Sequence, residues 1–192
     1  MTKAISISGL ILVLMAGAAE AHTGVTHAAG FMHGFVHPIG GLDHVLAMIA
    51  VGLFAFVLGG RALWFVPATF VGMMAVGGVV GFSGIALPLL ETAIALSVVV
   101  LGLAVAIGRN LPVMAACALV GFFALFHGIA HGAEMPAETS AATYALGFMM
   151  ATALLHGVGI AAGLGLGRFA NVARIGGAGI ALAGAGILAG IV

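Results

Sequence analysis

The chain has 192 residues, of which 64% are hydrophobic, 5% are charged and 32 are glycine, with a formal net charge of zero. A mean hydropathy of +1.35 leaves too few charges to cover a water-facing surface, which excludes an ordinary soluble domain. The balanced charge excludes a basic face for nucleic acid, and a lone cysteine, Cys117, excludes an internal disulfide or a thiolate metal cage.

In chain order, residues 1–21 read as a signal peptide. Lys3 supplies the positive start, Gly9 to Ala18 the apolar run, and Ala19-Glu20-Ala21 a small-x-small cleavage site. That run is short for a full span, which needs ~20 residues. Residues 25–39 are fairly apolar and read as a short helix, partly inserted. Six apolar spans follow, at roughly 40–59, 62–81, 88–107, 111–131, 141–166 and 173–192, so 22–192 is expected to be one all-α transmembrane domain. Their breaks are marked by Gly59-Gly60-Arg61, Gly81 to Gly84, Gly108-Arg109-Asn110, Glu134-Met135-Pro136 and Gly167-Arg168. Glycines four apart (Gly77/Gly81, Gly128/Gly132, Gly159/Gly163/Gly167, Gly186/Gly190) predict close helix packing.

Orientation follows from the arginines. With an exported N-terminus, loops one, three and five face the cytoplasm and carry Arg61, Arg109, Arg168 and Arg174. Asp43, Glu91, Glu134 and Glu138 fall at the opposite, periplasmic ends. The expected location is the bacterial inner membrane, with several passes and a periplasmic mature N-terminus.

Ionisable side chains at membrane depth are costly and mark function. Five of the eight histidines lie between His22 and His44. His33, His37 and His44 are spaced i, i+4, i+11 and would fall within about 40° on an unbroken helix. Pro38 and Gly40-Gly41 argue for a bend, which would free carbonyl oxygens as ligands. Asp43 would coordinate an ion, orient His44, or merely cap the following helix. His127, His131 and Glu134 are spaced i, i+4, i+7 and share a face within about 60°. Imidazoles one turn apart are a common metal-binding arrangement. Glu91 reads equally as a ligand or as an acid favoured by a helix start. His156, near mid-span, is a buried structural histidine or a deeper stop for an ion. His22 would offer an amine and an imidazole after cleavage. The methionines, Met48 included, read as adaptable packing.

The run His37-Pro38-Ile39-Gly40-Gly41-Leu42-Asp43-His44-Val45-Leu46-Ala47-Met48 and the stretch Phe126 to Glu134 resemble the HupE/UreJ family of bacterial nickel permeases. The likeness covers the whole chain. It implies secondary uptake of nickel, in some members cobalt, for hydrogenase or urease maturation. It also implies metal residues at His37, Asp43, His44, Glu91, His131 and Glu134.

Imidazole and carboxylate without thiolate suit nickel or cobalt, carried as substrate with no permanent cofactor. No phosphate-cradling Gly-Lys-Ser/Thr motif occurs, so the chain itself is not expected to hydrolyse ATP or to be an enzyme. Two rivals come from other classes. A rhomboid-like serine protease would use Ser83, within Gly81-Phe82-Ser83-Gly84, and His156, although Ser83 falls in an outer loop. A haem-binding cytochrome would use paired histidines as axial ligands.

Overall fold

The computed structural model describes residues 27–85, 87–108, 111–166 and 170–191. The signal segment 1–21, His22, Arg109 and Arg168 lie outside the described residues.

Seven helices, and no strand, make up the described residues: α1 (His27–Gly40), α2 (Leu42–Leu58), α3 (Ala62–Phe82), α4 (Leu90–Ile107), α5 (Val113–Ala133), α6 (Ala141–Leu166) and α7 (Ala170–Leu188). Five are long and apolar enough to cross a membrane, and the bent pair of α1 and α2 is a sixth if it counts as one broken span. The chain is therefore a multi-pass membrane protein. In lipid the backbone must satisfy its own hydrogen bonds, which is why long apolar runs become helices.

The structure keeps the two segments expected here: α1 covers the short helix at 25–39 and α2 the first span at 40–59, and they meet at 84° across a break at Gly41. Pro38 does not make the break, because it sits inside α1. Gly41, in an extended conformation, ends one helix and precedes the next. Its carbonyl accepts from the Val45 N–H at 3.0 Å and so is not a freed ligand. Elsewhere the turns are short. Gly59 and Gly60, with φ of 67° and 52°, reverse the chain between α2 and α3 in a left-handed conformation that favours glycine.

Glycine sets the pairing of the spans. On α3 and α5, a Cβ at Gly77, Gly81, Gly128 or Gly132 would strike the backbone of the facing helix, so these helices run in direct contact. Gly52 of α2 and Gly159 of α6 meet in the same way, and Gly102 of α4 packs against Gly177 and Ala181 of α7. The four-apart pairs at 77/81, 128/132 and 159/163 are thus packing seams. The short α1 lies over the first turns of α6, crossing where Gly34 meets Tyr144 and Gly147 meets Phe31 and Phe35. The buried core centres on Met48, Val51 and Phe54 of α2, Phe70 and Met74 of α3, and Leu101 of α4.

Candidate metal site

The two histidine-bearing segments meet at one end of the bundle. His37 comes from the last turns of α1, Asp43 and His44 from the first turn of α2, His127 and His131 from the last two turns of α5. Glu134 follows as the C-cap residue of α5. The seam of Gly128 and Gly132 against α3 fixes the rotation of α5, which turns its two imidazoles toward α1 and α2.

Ring centroids stand 5.0 Å apart for His37 and His131, 4.8 Å for His44 and His131, and 4.9 Å for His44 and His127. Two imidazoles sharing one divalent ion, with metal–nitrogen bonds of ~2.0–2.1 Å, place their centroids roughly 4.6–5.3 Å apart. The spacing matches. Among the described residues, no three His, Cys, Asp or Glu side chains form a group that could hold a metal ion as they stand.

Hydrogen bonds decide which nitrogens face inward. Asp43 Oδ1 accepts from the His44 backbone N–H at 2.7 Å and pairs with His44 Nδ1 at 2.8 Å. Asp43 therefore does not cap α2 from the N-cap position, which Gly41 fills. It orients His44 and leaves the buried Nε2 with no partner among the described residues. Glu134 accepts from His37 Nε2 at 2.7 Å, at the exposed rim. His127 and His131 are wholly buried. Nδ1 of His127 and both nitrogens of His131 lack a partner among the described residues. Buried polar atoms rarely go unsatisfied, and such a concentration requires an explanation. With two carboxylates and no described Lys or Arg at this end, the local field favours a cation.

Below this cluster the Phe70 ring lies 5.6 Å from His127 and 5.2 Å from His156. His156 is 1% exposed, and neither of its nitrogens has a partner among the described residues. Its carbonyl abuts Gly52. Gly52 is eight residues along α2 from His44, or about 12 Å deeper. Histidine thus recurs at two depths.

Two sequence candidates stand apart. His33 is exposed on α1, a full turn farther than His37 from the bend at Gly41, which separates the α1 face from that of His44. Glu91 is exposed in the first turn of α4 and makes none of the hydrogen bonds or ion pairs described for the cluster. The structure also adds neighbours that sequence reasoning passed over. Phe148 stacks on His131 at 5.1 Å, and Ser97 of α4 meets His127 Nε2 at 2.9 Å. A serine inside an apolar span was the available signal for the second; a phenylalanine carried none.

The rival chemistries lack geometry. Ser83 is exposed and donates to the Val80 carbonyl at 2.6 Å, whereas His156 lies beside Phe70. Phe70 and Ser83 are about 20 Å apart along α3, too far for a nucleophile and its base. The edge contacts among the four upper imidazoles leave no slot for a porphyrin plane.

Residues 10–187 match the family described as HupE / UreJ protein. Protein HupE of Rhizobium leguminosarum bv. viciae is 52% identical over 176 residues, covering 90% of this chain and 91% of that protein. No solved structure matches the chain. With its two histidine motifs brought together in a bundle of membrane spans, the chain belongs to the HupE/UreJ family, membrane proteins associated with nickel and cobalt uptake for hydrogenase and urease.

Proposed function

We propose that this protein is a secondary permease that carries Ni2+ or Co2+ from the periplasm to the cytoplasm, where the metal supplies hydrogenase or urease maturation. The observation that carries the reading is the meeting of His37, His44, His127 and His131 at 4.8–5.0 Å, with buried nitrogens unpartnered among the described residues. Glu134 and His37 form the rim that meets an arriving cation, and Asp43 holds His44 ready behind it. The ion exchanges its water for imidazole nitrogens of His44, His127 and His131. His156 is the next stop, reached past Phe70. Glu91, His33 and His22 serve capture at the surface.

Imidazole with carboxylate, and no thiolate, favours borderline ions such as Ni2+ and Co2+ over magnesium or calcium, which take oxygen ligands. Inward direction is supported by Arg61 and Arg174 at the end opposite the histidines, as the positive-inside rule requires. The test is uptake of radiolabelled nickel and cobalt into cells expressing the chain. Accumulation above that of cells carrying His44→Ala is expected for at least one metal; equality for both would refute the reading.

A further inference from the structure

We propose that Ser97 is a positioning residue that fixes the tautomer of His127, so that Nδ1 is presented to the transported ion. The inference rests on the proposed role of His127 as a ligand and says which of its nitrogens does the binding.

Ser97 lies midway along α4, a helix of otherwise apolar residues after its first turn, and is wholly buried. Its hydroxyl has one proton. That proton goes to the Ile94 carbonyl, with Oγ and O 2.6 Å apart. Oγ then has only lone pairs left to offer, and His127 Nε2 lies 2.9 Å from it. The hydroxyl must accept, so Nε2 carries the hydrogen and donates.

The opposite tautomer leaves Nδ1–H as a buried donor with no acceptor among the described residues, where the chosen one leaves a lone pair that a cation can take. The bare Nε2 of the opposite tautomer would face the serine lone pairs unless Ser97 released Ile94. With Nε2–H chosen, the Nδ1 lone pair is left open in the ring that lies 4.9 Å from His44. His44 is set the other way, since Asp43 takes its Nδ1 side and leaves Nε2 open. Two neighbouring imidazoles thus present opposite nitrogens, each chosen by a different partner. Through Ser97, α4 takes part in a site to which α1, α2 and α5 give the ligands.

The test uses full-length protein in nanodiscs, labelled with 15N-histidine, free of metal and held near pH 8. Imidazole 15N shifts distinguish the two neutral tautomers, with the His127 signals assigned by their loss in His127→Gln. Nε2–H is expected for wild type and for Ser97→Thr, which keeps the hydroxyl. Ser97→Ala is expected to shift His127 toward Nδ1–H and to weaken Ni2+ binding by about 10–100-fold, as loss of a ligand-orienting partner does. Ser97→Thr is expected to restore both. A wild-type Nδ1–H tautomer, or one unchanged in Ser97→Ala, overturns the assignment whatever nickel does. A tautomer that follows Ser97, with Ni2+ affinity unchanged in both Ser97→Ala and His127→Ala, instead overturns His127 as a ligand.

Discussion

Asp43 illustrates how much one carboxylate does at the mouth of the site. As the residue before His44 in the first turn of α2, it satisfies a helix-start N–H and holds the imidazole Nδ1 with the same oxygen. The ring is thereby pinned with Nε2 turned into the bundle. Asn at position 43 keeps the size, but its neutral amide is a weaker acceptor and carries no charge to attract the ion. We expect Asp43→Asn and His44→Ala to insert at normal levels and to lower uptake of radiolabelled nickel by at least tenfold, since partners and ligands each matter on that scale. Wild-type uptake in either variant, at equal membrane abundance, would remove the pair from the site. Both residues were legible in the sequence because a carboxylate beside an imidazole has little reason to enter lipid otherwise. Ser97 was not. A serine within a helix can always bond to a carbonyl of its own preceding turn, as Ser97 does with Ile94, so only the approach of His127 from another helix reveals its second role.

At the scale of elements, the histidines are placed by glycine seams. A Cβ at Gly128 would collide with the Met74 carbonyl and crowd Gly77 and Gly78, so α3 and α5 touch along their backbones. Gly128 adjoins His127, and separating the two helices would displace both α5 imidazoles. Gly128→Leu is expected to destabilise the purified protein by about 1–3 kcal/mol, as overpacking does, and to depress uptake with it. Gly179 of α7 is the control, because a Cβ there meets nothing. Gly179→Ala should leave uptake unchanged and hold or raise the melting temperature, alanine being the better helix former by ~1 kcal/mol. Equal melting temperatures for the two variants would show that the seam is not what holds α5. The seams at 77/81, 128/132 and 159/163 were readable because i, i+4 glycines line one helix face whatever the partner. Gly190 of the expected 186/190 pair instead lies past α7, and a Cβ there meets nothing. The break at Gly41 was foreshadowed by Gly40-Gly41, though not made by Pro38, and its 84° angle was not legible. That angle depends on α1 lying across α6 through Gly34 and Gly147, a contact between distant segments that local pattern cannot encode. The same bend takes His44 out of line with His33 and His37, and only His37, in the last turn of α1, still reaches the cluster.

Across the whole molecule, charge is divided between the two ends of the bundle. Asp43, Glu91, Glu134 and Glu138 share the histidine end, while exposed Arg61 and Arg174 share the other, where exposed Trp64 suits a membrane interface. In a Cys117→Ala background, Glu138→Cys should react with an impermeant thiol reagent from outside the cell. Arg61→Cys should react only after the membrane is opened; the reverse pattern would invert the protein and the direction of transport. The orientation also sets the energetics. A potential of 100 mV, negative inside, is worth ~2.3 kcal/mol per charge, hence ~4.6 kcal/mol for a divalent cation. At 1.4 kcal/mol per factor of ten, that permits roughly 2000-fold accumulation with no other energy source. In liposomes whose potential is set by a potassium gradient and valinomycin, the nickel accumulation ratio should therefore rise by about tenfold for each 30 mV. The buried imidazoles impose no charge of their own on this path while neutral, so the two charges of the ion should dominate the slope. A ratio that ignores the potential but follows an imposed pH gradient would mean that protons exchanged at the histidines, not the membrane field, drive the metal inward.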